Sequence, residues 1–391
     1  VRTIKIALIC TEMLTVPPIR GGAIQIFIDG ITPHLNSKHE LTIFCITDPE
    51  LPDREVIKGV EYIRVPNEDY AFHVAKELSR KQADKKFYDI IHVFNRPRYL
   101  LVYKAAMPDS RFVISLHNEM FREGKISDEM GSLTIKGADK IMTISDYIGK
   151  TVTARFPSAK RKIKTVYSGI NLKKYIPVWD DRAQLIRKEL REKYGVANKK
   201  VILFVGRLSA VKGPDILIRA MQLVIQKHSD AVLVIVGSKW FHDERIDEYG
   251  TKIRQLAEEL GEERVVFTGF VPPSEIPSHF SIGDIFVCSS QWQEPLARVH
   301  YEAMGAGLPV ITTNRGGNAE IIKHHKNGIV IEEYTSPQAF ADAILFLLSN
   351  PAEALALAKA GRVYVESSHG FEHAAKRLIN LYLRAMLPDK S

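Results

Sequence analysis

The sequence predicts an α/β protein built from two Rossmann-like domains, each a parallel sheet with helices on both faces. Three observations carry that expectation. Short apolar stretches of strand length alternate with amphipathic helical stretches along the whole chain, the order that builds parallel sheets. That pattern runs through the first half and restarts at Val201. Finally, 391 residues exceed what one hydrophobic core usually supports, and at roughly 150 residues per domain two or three are expected.

Taken in order, the first half offers strands near Ile4–Cys10, Leu41–Ile46, Ile90–Phe94, Phe112–Leu116, Lys140–Ile144 and Lys164–Tyr167. A helix with Ile24, Phe27, Ile31 and Leu35 on one face follows the first strand. Residues 171–200, charged and proline-containing, read as the interdomain connection, with a polar helix around Ala183–Tyr194. Strands resume at Val201–Val205, Ala231–Val236, Val265–Thr268, Ile285–Cys288, Val310–Thr312 and Ile329–Ile331. An amphipathic helix of about Glu372–Met386 ends the chain, with Ala375, Leu378, Ile379, Tyr382 and Met386 at helical spacing. Open α/β sheets bind ligands at the carboxyl ends of their strands, so two domains facing across a cleft would place the active site between strand-to-helix loops.

Composition narrows the classes further. Hydrophobic residues make up 45% and charged residues 26%, which excludes a disordered or collagen-like chain. The uninterrupted apolar stretches fall far short of the roughly 20 residues that span a bilayer. Lys5 interrupts the first apolar run, which reads as a strand rather than a signal peptide. Cys10, Cys45 and Cys288 read as buried thiols of a reducing compartment, so a cytoplasmic location is expected. The net charge of +8 reads as a solvated face or as attraction to an anionic ligand, polyanionic acceptor or membrane surface. Nothing points to nucleic acid.

The common nucleotide signatures are missing. No Gly-x-Gly-x-x-Gly follows the first strand, and the Gly149-Lys150-Thr151 run lacks the first glycine of a phosphate loop. His369 and His373 have no cysteine nearby to complete a zinc site. There is no Asp-x-Asp to hold a divalent cation, so no metal is expected and a bound pyrophosphate needs another counter-charge.

One strand-to-helix loop supplies it. Arg207 and Lys212 follow Val201–Val205, with Pro214 suited to the first position of the next helix. They read either as ordinary surface cations or as a fork and a point charge for phosphate oxygens. The second element runs from Glu294 to Gly307. A helix starting at Pro295 would leave the amides of Leu296, Ala297 and Arg298 open at its N-terminus, a favourable place for phosphate. Glu302 would then lie ~12 Å beyond Glu294 along the axis, a spacing for two parts of one extended ligand. The alternative is a capped helix with one salt-bridged glutamate.

The stretch Glu294 to Val310 resembles the signature of retaining glycosyltransferase family four, which has the GT-B fold. The resemblance extends to Gly206-Arg207 with Lys212-Gly213, Gly21-Gly22-Ala23, Ser115 to Asn118, Ala138 to Ser145, Gly169 to Asn171 and Gly316 to Glu320, nearly the whole chain. Cys288 to Glu294, Arg20 to Gln25 and Ile114 to Met120 are worded most like spore-coat-associated members.

What the resemblance implies falls on matching residues. The terminal helix would cross back, so that residues 1–172 with 371–391 form an acceptor-side domain and 173–370 a nucleotide-sugar domain. Glu302 would hold the ribose, Glu294 the transferred hexose, and Arg207 with Lys212 the diphosphate. The amides of Leu296, Ala297 and Arg298 would take the distal phosphate, Gly21 and Gly22 would let backbone approach it, and the backbone near Phe270 and Val271 would meet the base. His117 would lie near the sugar and leaving phosphate, although a lone strand-end histidine is also an ordinary structural residue. A nucleotide-diphosphate sugar is the expected donor, with no cofactor besides. Asn95, Arg96, Arg98, Asn118 and Glu119 are candidates on the acceptor side. Leu296-Ala297 stands where many members have Phe-Gly, and Ser168 where Asn usually precedes the glycine. Two other classes stay open: a non-catalytic spore-coat structural protein of the same fold, and a GT-B sugar-nucleotide epimerase.

Overall fold

The computed structural model describes residues 2–238, 247–261 and 263–387. The chain divides into two compact units, Val1–Gly169 with Phe371–Ser391, and Ile170–Gly370. Residues 1 and 388–391 of the expected first domain lie outside the described residues. The division falls after Gly169 rather than after residue 172, because Ile170 is tied to the second unit. Its amide donates to the His369 carbonyl at 2.9 Å. Its side chain fills the space beside Gly305, where a Cβ would come within 2.7 Å of it.

The first unit holds β1 (Lys5–Ile9), β2 (Glu40–Ile46), β3 (Arg54–Ile57), β4 (Val60–Val65), β5 (Ile90–Phe94), β6 (Arg111–Leu116), β7 (Lys140–Thr143) and β8 (Ile163–Thr165). They form one sheet in the order β3-β4-β2-β1-β5-β6-β7-β8, parallel except for β3, which runs antiparallel along the edge. Ile6, Ala7, Leu8 and Ile9 of β1 are fully buried, as a strand covered on both faces requires. The β3–β4 hairpin is absent from the sequence expectation. It closes through Lys58 and Gly59, with φ of 50° and 84°, and Lys-Gly is a weaker written signal for such a turn than Asn-Gly.

The second unit holds β9 (Lys200–Val205), β10 (Ala231–Val236), β11 (Val265–Phe267), β12 (Ile285–Cys288), β13 (Val310–Thr313) and β14 (Ile329–Ile331), all parallel, in the order β11-β10-β9-β12-β13-β14. The chain winds outward from β9 through β10 and β11, then returns to β12 on the other side. That reversal leaves a crevice beyond the carboxyl ends of β9 and β12. The first unit reverses in the same way between β1 and β5.

The helix Phe371–Met386 belongs to the first unit, as the crossing-back expectation has it. It packs on the helix Ala23–Asn36 and on β6 and β7. Gly30 makes room for the Phe371 ring, where a Cβ would lie 2.4 Å from ring carbons. The Tyr382 hydroxyl and His92 Nδ1 are hydrogen-bonded at 2.7 Å. Burial, reinforced by nearby His117, holds His92 well below the ordinary imidazole range. Among the described residues no single helix is long and apolar enough to cross a membrane.

Candidate functional site

Within the second unit the loops after β9 and β12 are laced together. After β9 the chain makes a 3-10 turn at Ala210–Lys212 and enters the helix Pro214–Val224 with Pro214 at its first position. Gly213 between them has φ of 66°, and a Cβ there would lie 2.3 Å from the Ser289 carbonyl oxygen. Ser289 Oγ donates to the Lys212 carbonyl at 3.0 Å, and the Gln291 amide donates to Val211 at 2.8 Å. This close approach carries the Lys212 ammonium to Glu294.

Glu294 is 6% exposed. Its Oε2 receives Lys212 Nζ at 2.6 Å, Trp292 Nε1 at 2.8 Å and Ser290 Oγ at 2.9 Å. Burial pushes this carboxyl up, but the Lys212 charge and the three hydrogen bonds outweigh it and hold the group below its usual range, ionised at neutral pH. Oε1 has no hydrogen-bond partner among the described residues. Lys212 Nζ also lies 5.9 Å from the centre of the Trp292 ring, an attractive placement for a cation. Arg207 stands exposed on the same β9 loop.

A third loop backs the carboxylate. Gly316, with φ of 57°, lies so close to residue 294 that a Cβ would meet the Glu294 carbonyl oxygen at 2.0 Å. The Gly317 amide donates to that oxygen at 2.8 Å, and the Gly316 amide to Gln293 Oε1 at 2.7 Å. Asn318 Oδ1, fully buried, accepts from the Ala297 amide at 3.4 Å.

These contacts correct the expected helix start. The helix runs Val299–Gly305, not from Pro295, because the 316–318 loop holds residues 294–297 with its own hydrogen bonds. The Ala297 amide is therefore engaged, while that of Leu296 has no partner among the described residues. Arg298 occupies the N-cap position and presents its guanidinium to Glu302 Oε1 at 3.5 Å. The helical-rise separation of the two glutamates does not apply, since only the last part of that span is helical. Glu302, 7% exposed, lies beside Tyr175, whose hydroxyl is pushed well above its ordinary range by burial and then by Glu302. Val271 is buried in the loop after β11.

His300 latches the segment from within. It is fully buried, with Nδ1 at 2.8 Å from the Ala297 carbonyl and Nε2 at 2.7 Å from Thr312 Oγ1. Burial lowers its affinity for a proton, yet the Cys288 thiol and the Ala297 carbonyl outweigh that and raise it. Cys288 is held below its usual range by His300 in spite of burial.

In the first unit Gly21 and Gly22 follow β1 with φ of 81° and 96°, the left-handed region that favours glycine. His117, half-buried after β6, has its ring 5.5 Å from that of Phe27 and 5.8 Å from that of Phe94. Its amide donates to Asn95 Oδ1 at 3.0 Å. Of the acceptor-side candidates, Arg96 is paired with Glu12 at 2.7 Å and Glu119 accepts from the Tyr147 hydroxyl. Arg98 lies in the 3-10 turn after β5 and Asn118 is exposed.

The structure thus joins Lys212 to Glu294 and Arg298 to Glu302. Sequence reasoning did not assign Ser290, Trp292, Asn318, Gly316 or His300. The pair of glycines before Asn318 was a legible signal for close backbone approach. The indole and hydroxyl reaching back to Glu294 from two and four residues earlier had none.

Residues 24–174 match the family model described as Glycosyltransferase Family 4, and residues 186–364 the model described as Glycosyl transferases group 1. The chain is 49% identical over 384 residues to the "Putative glycosyltransferase YtcC" of Bacillus subtilis, covering 98% of this chain and 93% of that one. It is 47% identical over 378 residues to Spore coat protein SA of the same organism, covering 97% and 99%. Among solved structures, a glycosyltransferase from Rickettsia africae superposes with a TM-score of 0.82 at 19% identity, covering all of both chains. Anabaena Alr3699/HepE, in complex with UDP-glucose, gives 0.75 at 21% identity, covering 96% of this chain and 98% of that one.

Proposed function

The chain belongs to the family-four glycosyltransferases of GT-B fold, and from that premise we propose that it transfers a hexose from a nucleotide-diphosphate sugar to an acceptor, with retention of anomeric configuration and without a divalent metal. The observation that carries this reading is Glu294: a buried, ionised carboxylate with Oε2 saturated and Oε1 left to accept from sugar hydroxyls. Arg207 and Lys212 supply positive charge from one loop, suited to a departing diphosphate. Glu302, oriented by Arg298, suits the ribose, and the Leu296 amide suits a phosphate oxygen. Val271 backbone suits the base. In the first unit by itself, the positive-φ Gly21 and Gly22 suit close backbone approach to a phosphate, and His117 suits a hydrogen bond to a sugar hydroxyl. In the proposed step the acceptor oxygen bonds to the anomeric carbon as the carbon–phosphate-oxygen bond breaks, and the acceptor's proton passes to the leaving phosphate. The acceptor is a glycan, lipid, protein or small molecule. Similarity to Spore coat protein SA supports a role in spore-coat or envelope glycan formation from the cytoplasmic side, and the basic excess suits a membrane surface.

A thermal-shift panel of nucleotide sugars, uridine donors first, followed by mass spectrometry of products, tests the reading. Glycoside supports it; free nucleotide with an epimerised sugar identifies an epimerase, and no turnover of any donor leaves the coat-structural reading. Turnover should be unchanged by EDTA, and abolition by chelator with rescue by magnesium overturns the metal-free mechanism.

The two glutamates should fail differently. Glu302→Ala should chiefly weaken binding of the bare nucleoside diphosphate, because ribose contacts are the same in ground and transition states. Glu294→Ala should lower kcat more than nucleotide affinity. Equal losses of nucleotide affinity by calorimetry contradict these roles.

A further inference from the structure

We propose that Trp292 is a positioning residue for Glu294, its indole N–H deciding which carboxylate oxygen faces the sugar. The proposal rests on the function proposed above. A glutamate has two equivalent oxygens and rotatable side-chain bonds, so burial alone leaves its orientation open. Here the Trp292 N–H joins Lys212 and Ser290 on one oxygen, Oε2. Three donors saturate that oxygen and lock the carboxylate's orientation, leaving Oε1 as the acceptor. The ring is itself held, since the Lys212 ammonium lies 5.9 Å from its centre. The indole is 36% exposed, so it is only partly packed, and its N–H is the one contact with Glu294 that another large apolar residue here could not make.

The charged and titratable groups facing Glu294 are Lys212 from the β9 loop, Cys288 at the end of β12 and His300 on the helix Val299–Gly305. Trp292→Phe leaves all three in place and removes the donor while keeping an aromatic ring at this position. A hydrogen bond to the ionised form lowers a carboxyl's pKa, so its loss raises that of Glu294, and activity that needs the carboxylate is lost at a higher pH.

The experiment compares W292F, W292L and S290A with the wild type at saturating nucleotide sugar. Both Trp292 variants should lose kcat about equally, roughly tenfold, as expected for one charge-assisted hydrogen bond. KM and the affinity for bare nucleoside diphosphate should stay within about twofold. The acid limb of the kcat profile should move to higher pH in W292F and in S290A, which removes an independent donor from the same oxygen. A W292F enzyme equal to wild type beside a crippled W292L assigns ring packing alone and overturns the proposal, as does an unmoved acid limb. Carboxyl carbon NMR of selectively labelled glutamate, with Glu294 assigned through E294Q, reads the same shift without turnover. If no donor is turned over, the functional reading fails while this titration still decides the clamp: a higher midpoint in W292F supports it, and an unchanged midpoint in W292F overturns it whatever S290A does.

Discussion

Lys212→Ala should lower turnover about thirty- to a thousandfold and destabilise the second unit. The ammonium lies 2.6 Å from a carboxylate whose side chain is 7% exposed, and Lys212 itself is 20% exposed. Removing one partner of a largely buried pair leaves the other charge without its counter-ion, which costs roughly 3–5 kcal/mol in comparable cases. The loss of transition-state charge stabilisation adds roughly 2–4 kcal/mol to the barrier. The pH dependence has a definite sign. In the wild type the Glu294 pKa is depressed, so the pair's stabilisation is present at neutral pH and is lost as pH falls through the folded value. Without Lys212 burial dominates and raises that pKa, so the variant's deficit should be largest at neutral pH and shrink on acidification. Melting temperatures of wild type and K212A across the acid range check this, and a deficit independent of pH contradicts the pairing. K212M/E294M should recover stability without recovering turnover, since an apolar pair carries no desolvation cost.

Truncation after His369 should leave the first unit unable to fold. The helix Phe371–Met386 buries Phe371, Leu378, Leu381 and Tyr382 among other residues. At roughly 1.5–3 kcal/mol for each large apolar side chain, these four contribute on the order of 6–12 kcal/mol, comparable with the whole stability of a typical domain. The loss also strips His92 of its Tyr382 partner inside the core and exposes the hollow at Gly30. Expression of the truncated chain should yield insoluble protein, and a soluble, active product contradicts the packing. Tyr382→Phe is the milder companion: it keeps the ring and leaves His92 Nδ1 unpaired, costing about 1–3 kcal/mol in a denaturant melt.

Much of the architecture is legible in the sequence. The alternation of strand and helix, the restart at Val201, the two glutamates, and Arg207 with Lys212 on one loop all follow from local sequence, because hydrophobic period and proline position act within a few residues. The β3–β4 hairpin escaped because Lys-Gly is a weak turn signal and its edge strand, Arg54–Ile57, is only four residues long. The start of the helix after Glu294 escaped for a different reason: Pro295 is a sound local signal, but Gly316, Gly317 and Asn318, brought in from beyond β13, hold residues 294–297 with other hydrogen bonds.

By itself, then, the sequence determined the class of fold and the chemical types gathered in each loop. Only the tertiary structure decided how those groups are shared: that Lys212 pairs with Glu294, that Arg298 faces Glu302, and that Asn318 takes the Ala297 amide. The physical reason is range. Helix and strand patterns are written in neighbours, whereas a buried charge must find its partner wherever the fold brings one, and Lys212 and Glu294 meet from 82 positions apart along the chain.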